Sequence, residues 1–397
     1  MSLSDAMDAF VGEARAVPIE TEVSRRGLRL KRSGGELVGP CPVCGGVDRF
    51  GVNPRKGVFL CRHSGTAGDV IALVEYLDGC DFLRACETLT GRPPPKGEGR
   101  GPDPAEIARR EAARRVADAE RERGEIDYRE TERARMWQLW RETARIAEGG
   151  IVARYLAGRG LSVPVGASLR QHDAVPFFVQ DGRKPRQVHI GPAMIAAVVD
   201  AGGIFRGAHI TWLDAARAVK AEIVDPETGE VMPARKMRGS MGGNHIVLSR
   251  PAKPRRLILG EGNETTLAVR DSLHACRGAA YDSETLYWAG ISLGNIGGRA
   301  LESVAHPTLT RTDKRGAVRK LRVPGPEPDC VPKHAALMPP DDISEIILLG
   351  DGDSDRFTTQ MHLERAARRW RRPGRRIRLP FAPEGRDFND LLMEAAE

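Results

Sequence analysis

Two short stretches constrain this chain more than any others: residues 256–264, Arg-Leu-Ile-Leu-Gly-Glu-Gly-Asn-Glu, and residues 346–355, Ile-Ile-Leu-Leu-Gly-Asp-Gly-Asp-Ser-Asp. Each is a short apolar run that ends in glycine and acids, and each precedes a helical pattern. Branched apolar runs of this length, bounded by turn residues, read as buried parallel strands. Their acids then stand at the C-terminal strand ends, where open α/β sheets place ligands. Glu261 leaves one strand tip, while Asp351, Asp353 and Asp355 leave another. On an extended backbone alternate residues project to one side, so Asp351 and Asp353 can converge on one cation. Crowded carboxylates repel one another unless a hard cation neutralises them, and Mg²⁺ is the usual choice beside phosphates. Acids after strands also serve as solubilising loop residues or as caps of the next helix, so either stretch alone leaves both readings open. The two in order, with residues 385–390 (Gly-Arg-Asp-Phe-Asn-Asp) as a third element, favour the cation site.

This order of motifs resembles the Toprim domain of DnaG-type primases, topoisomerases and related nucleases. The resemblance implies that Glu261, Asp351 and Asp353 form a catalytic centre that holds Mg²⁺ or Mn²⁺. It also implies supporting roles for Asp355 and Asp387 on the nucleotide-binding side. Residues 256–259, 287–292, 346–349 and 377–379 read as strands, and residues 264–273, 299–304, 356–370 and 388–395 as helices. Such alternation implies a parallel sheet with helices on both faces. Gly294-Asn-Ile-Gly-Gly298 could approach a phosphate or simply punctuate a loop. Residues 306–340 are polar, proline-rich and basic, and read as an inserted loop or flap. The arginine run at 365–376 suits either a nucleic-acid backbone or a solvated helix face.

Near the front, Cys41-Pro-Val-Cys44-Gly-Gly-Val-Asp-Arg-Phe50 precedes Gly57-Val-Phe-Leu-Cys61-Arg-His63-Ser64-Gly65. The C-x-x-C spacing makes a knuckle that delivers two thiolates to one Zn²⁺. Residues 49–52 and 58–60 read as strands of a small ribbon. The pattern resembles the CHC2-type zinc-binding domain of DnaG-like and of phage or plasmid primases. That family puts its last ligand three residues after Cys61, where this chain has Ser64. The expected zinc ligands are therefore Cys41, Cys44, Cys61 and His63, with a degenerate site, or Cys80 or Cys86, as the other readings.

The whole chain sets wider bounds. Its 397 residues are enough for two or three domains, and 41% hydrophobic content is adequate for cores. A net charge of +7, mostly from arginine, permits a polyanionic partner without requiring one. Seven cysteines, an odd number with a C-x-x-C among them, suit metal binding in a reducing compartment. No apolar run is long enough to span a bilayer, so a soluble, cytoplasmic protein without membrane partners is expected. The expected domains are a zinc-binding domain at 1–91, a linker with charged helices at 92–148, a mixed α/β subdomain at 149–252 and the Toprim domain at 253–397. Residues 91–103 are a Pro/Gly linker, and residues 104–148 form one or two charged helices. The second part of that helical stretch has an apolar side, with Met136, Trp137, Leu139 and Trp140 among its members. In the mixed subdomain, Arg235-Lys236-Met-Arg238-Gly-Ser-Met-Gly-Gly243 combines cations with bare backbone, a set that can hold a phosphate chain or make a basic turn. The stretch running from Arg159-Gly-Leu through Ala193-Met, Thr211-Trp212-Leu and Lys236 to Gly243 resembles the region preceding Toprim in phage and plasmid primases, which implies nucleotide or template contacts by Arg235, Lys236 and Arg238.

A carboxylate-bound Mg²⁺ serves polymerisation or hydrolysis of phosphodiesters equally well. The zinc module ahead of Toprim is the primase combination. The expected function is therefore a DNA primase of a phage, plasmid or mobile element, making short primers on single-stranded DNA from nucleoside triphosphates. No G-x-x-x-x-G-K-[ST] motif occurs, so a replicative helicase would be a separate partner. The other readings are a Toprim nuclease and a non-catalytic zinc-containing DNA-binding factor.

Overall fold

The computed structural model describes residues 3–95, 104–181, 184–312, 318–331 and 334–396. Most of the expected linker, residues 96–103, lies outside the described residues. Two compact units emerge. One comprises Met1–Tyr128, Val179–Pro185 and Thr308–Arg322, and the other Arg129–Phe178, Arg186–Pro307 and Val323–Glu397.

The first unit opens with helices α1 (Leu3–Ala16) and α2 (Ile19–Arg25). An antiparallel meander follows: β1 (Lys31–Ser33), β2 (Glu36–Cys41), β3 (Gly45–Asn53), β4 (Val58–Cys61) and β5 (Ala67–Gly68). Two short helices close the module, α3 (Val70–Asp78) and α4 (Phe82–Thr90). Both have clear local causes. The Asp69 carboxylate accepts from the amides of Ile71 and Ala72, and that of Asp81 accepts from Arg84. Each helix then ends on a left-handed glycine, Gly79 at φ 62° and Gly91 at φ 74°. Phe10, Phe50, Phe59 and Leu73 form the core together with Cys41, Cys44, Cys61 and Cys86. Cys86 is thus a packing thiol on α4.

The charged stretch is one helix, α5 (Pro104–Glu142), with only Gly124 inside it. Past residue 128 it belongs to the second unit, where its apolar side docks: the Trp137 ring meets Phe205 edge-on at 5.2 Å. Next come α6 (Ile151–Ala157) and the strands β6 (Leu169–Asp181), β7 (Lys184–Val199), β8 (Phe205–Trp212), β9 (Ile223–Val224), β10 (Val231–Met232), β11 (Arg235–Gly239) and β12 (His245–Val247). The C-terminal stretch contributes β13 (Arg256–Gly260), α7 (Asn263–Asp282), β14 (Thr285–Ala289), α8 (Leu293–Gly297), β15 (Ser303–Thr312), β16 (Val318–Pro324), β17 (Glu345–Leu348), α9 (Arg356–Trp370), β18 (Arg376–Arg378) and α10 (Phe388–Ala396).

A single mixed sheet of nine strands carries this unit, in the order β11-β8-β7-β12-β14-β13-β17-β18, with β6 paired to β7. The last four strands of that order are mutually parallel, and the others join antiparallel. The expected parallel sheet is therefore one half of a larger mixed one, because His245–Val247 pairs both with β7 and with β14. Strand β13 is buried along its whole length. Ile258 packs into one core with Tyr155 and Leu267, while Leu257 and Leu259 pack into a second with Leu363 and Trp370. Helices thus cover both faces, as a strand buried on both sides requires. Among the described residues no helix is long and apolar enough to cross a membrane.

Three local expectations are corrected. The helix expected at 299–304 lies earlier, at α8, where the Ser292 hydroxyl caps the Asn295 amide and left-handed Gly298 stops the turn. Residues 294–298 are therefore helix and helix stop. The segment read as an inserted loop begins as a strand pair, β15 with β16, whose tip, residues 313–317, lies outside the described residues. Helix α7 runs on to Asp282 across a non-helical Gly278.

Candidate functional site

Two clusters of chemically able side chains stand out, one in each unit. In the first unit, Cys41 ends β2, Cys44 closes the turn that leads into β3 and Cys61 ends β4. Their sulfurs all lie within 4.8 Å of one another, with Cys44 and Cys61 at 3.3 Å, and all three residues are buried. Three thiols this close cannot all ionise without a cation. Cys41 and Cys61 beside it, together with burial, hold the Cys44 thiol far above its ordinary value. Cys61, bonded by Cys41, Cys44 and Ser64, is held far below it. Three thiolates converging in a dry pocket fit Zn²⁺. His63 is buried but stands outside this group, as do Cys80 and Cys86.

The second cluster lines a cavity of about 430 Å³ at the C-terminal ends of β13 and β17. The pairing of Leu259 with Leu348 sets the register that brings Glu261 and Asp351 to adjacent strand tips. Asp353 follows two residues on. Asp387 arrives because its loop is bonded to the same turn, the Gly352 amide donating to the Arg386 carbonyl at 2.8 Å. Only glycine fits between the two aspartates, since a Cβ at Gly352 would lie 1.9 Å from the Pro383 carbonyl oxygen. Glu261, Asp351, Asp353 and Asp387 thus share one wall.

Asp351 is the strained member. Burial first, then the neighbouring charges of Glu261 and Asp353, push its carboxyl up to about 7, against a hydrogen bond from Thr265 at 3.2 Å. Its Oδ1 is buried with no hydrogen-bond partner. An orphaned buried carboxylate oxygen beside further acids fits a hard divalent cation.

The facing wall is basic. Arg159, Lys220, Arg235 and His209 line it, and the acid Glu264 lines it with them. Glu264 is buried and accepts from the Tyr155 hydroxyl at 2.7 Å and from Lys220 at 3.3 Å. Burial would raise its carboxyl, but Lys220, Tyr155 and Arg235 outweigh that and bring it down to about 2. Burial pushes His209 down to about 4, so its ring is neutral at neutral pH.

Strand alternation puts Arg235 on one face of β11 and Lys236 and Arg238 on the other, so the three cations expected to act together are divided. Arg235 reaches the cavity. Lys236 donates to the Phe178 carbonyl at 2.6 Å and lies 3.5 Å over the Phe177 ring. Arg238 pairs with buried Glu132 at 2.9 Å. Asp355 is committed as the cap of α9, accepting from the Thr358 amide at 2.8 Å, and it pairs with His306 at 3.2 Å. The arginine run is partly structural: Arg365 is fully buried against the carbonyls of Gly297 and Gly298, and Arg375 bonds those of Pro340 and Ile343. Sequence reasoning missed Tyr155, Arg159, His209, Lys220 and Glu264. A second acid three residues after Glu261 was the one available signal, and it reads equally well as a first-turn helix residue.

Comparison with known proteins bears most directly on the first cluster. Residues 12–93 match the family described as CHC2 zinc finger, and residues 130–248 match a family described as a domain of unknown function (DUF7146). The DNA primase of Halalkalibacterium halodurans is 33% identical over 66 residues, a match that spans 16% of this chain and 11% of that protein. Among solved structures, the zinc-binding and RNA polymerase domains of the Aquifex aeolicus primase cover 97% of this chain and 82% of theirs, at 14% identity and a TM-score of 0.32. The primase fragment of the bacteriophage T7 primase-helicase protein covers 91% of this chain and 95% of its own, at 13% identity and the same TM-score of 0.32. Superpositions this loose carry no residue role across. The family match at 12–93 and the three converging thiols agree on a zinc-binding module in that segment, similar to the CHC2 zinc finger.

Proposed function

We propose that this chain is a DNA primase, a nucleotidyltransferase that makes short primers on single-stranded DNA during replication of a phage, plasmid or mobile element. The observation that carries the reading is the cavity itself: five acids, one of them Glu264 paired with Lys220, line it together with three cations and a neutral histidine, and the Oδ1 of Asp351 is buried without a hydrogen-bond partner. Asp351 and Asp353, with Glu261, would hold Mg²⁺ or Mn²⁺, which supplies neutralisation of the charge that builds on a phosphoryl group during in-line attack. Arg159, Lys220 and Arg235 would neutralise the triphosphate, a task for cations at fixed separation across a polar cavity. Glu264 keeps Lys220 charged and aimed, and the Tyr155 hydroxyl holds Glu264. Glu261 completes metal binding or takes the proton of the attacking 3′-hydroxyl. The two-sided charge pattern favours a Toprim-type polymerase centre over a nuclease, because a phosphodiester brings one charge per phosphate whereas a triphosphate brings several. In this reading the CHC2 finger helps to hold the template.

Incubation of the full chain with single-stranded DNA, Mg²⁺ and labelled ribonucleotides tests it. Oligoribonucleotides are expected, and template cleavage or an inert mixture would overturn the reading. Asp351→Ala is expected to lower synthesis by about a thousandfold, in the range typical of lost transition-state charge stabilisation, while single-strand binding survives.

A further inference from the structure

The zinc site supplies three thiolates, and its fourth donor can be argued from the residues around them. The chain turns sharply after Cys61: the Gly65 amide donates to the Cys61 carbonyl at 2.8 Å, and the Ser64 amide points to the Cys61 sulfur at 3.4 Å. This turn faces residue 64 toward the thiols and leaves His63 out of their group. The Ser64 hydroxyl lies 3.3 Å from the Tyr76 hydroxyl, which itself lies 3.2 Å from the Cys41 sulfur. Tyr76 is carried by α3 and stacks on Phe59 at 5.3 Å, so its hydroxyl is held in place. Thr66 also reaches the Ser64 hydroxyl, at 3.0 Å.

We infer that the fourth donor to the zinc is an oxygen supplied at the Ser64–Tyr76 hydroxyl pair, and not the imidazole of His63. The oxygen belongs either to the Ser64 side chain itself or to a water held between the two hydroxyls. An S₃O set carries one negative charge less than four thiolates. Where that oxygen is the water, the metal keeps one exchangeable position, as in sites with a solvent ligand.

Co²⁺ substitution of the full chain, read by its visible spectrum alongside zinc content by mass spectrometry, tests this without any assay of activity. The wild type is expected to show charge-transfer intensity from three thiolates. Ser64→Cys should add a fourth, raising that intensity by about one third and slowing zinc loss to a chelator. This gain cannot come from misfolding. His63→Ala should leave the ligand-field bands and the zinc content as they are. Ser64→Ala and Tyr76→Phe separate the two oxygen sources. A shift of the bands only with Ser64→Ala identifies the serine oxygen, and shifts with both identify a shared water. The inference is overturned if His63→Ala moves the bands or halves the zinc content, or if neither hydroxyl variant moves them.

Discussion

The thiol cluster and the acidic cavity, the latter the proposed site of a hard cation, gather their donors in opposite ways. Cys41, Cys44 and Cys61 come from within twenty-one consecutive residues and are buried among aromatic side chains. Soft donors tolerate that dry setting because zinc–sulfur bonding replaces hydration outright. Glu261, Asp351 and Asp387 come from positions up to 126 residues apart and line a polar cavity. Hard donors suit a hydrated setting, and this cavity is also lined by Arg159, Lys220 and Arg235. The first cluster is part of a core, and the second is a surface held by one.

Metal removal should divide the two most sharply. A strong zinc chelator is expected to unfold residues 12–93, since structural zinc contributes on the order of 10 kcal/mol to such modules. Withdrawal of Mg²⁺ should leave the far-ultraviolet circular dichroism unchanged. Limited proteolysis after each treatment checks this, and equal protection of the zinc module with and without chelator breaks the contrast.

Glu264→Gln addresses the basic wall. Lys220 then keeps Arg159 and Arg235 as neighbours but loses its counter-charge, and burial already lowers its ammonium. Nucleotide KM should rise about tenfold, equivalent to about 1.4 kcal/mol, with kcat little changed. The loss should deepen as pH rises, because Lys220 deprotonates earlier in the variant. A KM with wild-type value and pH profile would reduce Glu264 to a packing residue.

Asp351 gives a stability test with a definite sign. Its folded-state carboxyl stands at about 7, above the unfolded value. The fold therefore favours the protonated form, and stability falls as pH rises from about 4 through 7. Without divalent cations, Asp351→Asn should raise the Tm at pH 8 by several degrees, an effect on the order of a few kcal/mol, and change it little at pH 4. Mg²⁺ should stabilise the wild type and not the variant. Equal melting of the two at pH 8 would remove the charge crowding from the account.

The smallest catalytic effect belongs to the basic strand. Arg238→Ala leaves Glu132 with Arg135 alone and should cost about 1–3 kcal/mol in stability, with nucleotide KM within about twofold. A tenfold rise in KM would show that Arg238 faces substrate after all.

Local chemistry was the legible part. The Cys-x-x-Cys knuckle, the strand-then-acid stretches and α9 at Arg356–Trp370 are written in residues close together in the chain. The helix misplaced at 299–304 shows the limit. Ser292 and Gly298 bound a turn rich in glycine, which pattern reading takes for a loop. The basic strand shows another, because three cations in five residues look like one patch until sheet pairing sends neighbours to opposite faces.

By itself, then, the sequence determined which side chains are able to bind soft and hard cations, and the strand character that carries Glu261 and Asp351 to strand ends. Tertiary structure alone decided what stands opposite them. Lys220 and His209 lie in segments with no motif, and with Arg159 they meet the acids only because the residues around α6, β8 and the bridge of Leu213 to Lys220 line the same cavity. Likewise the turn after Cys61, and not the spacing, brings the Ser64 amide to the Cys61 sulfur. Spacing fixes reach along the chain, whereas the direction of a side chain depends on the hydrogen bonds of the backbone that carries it.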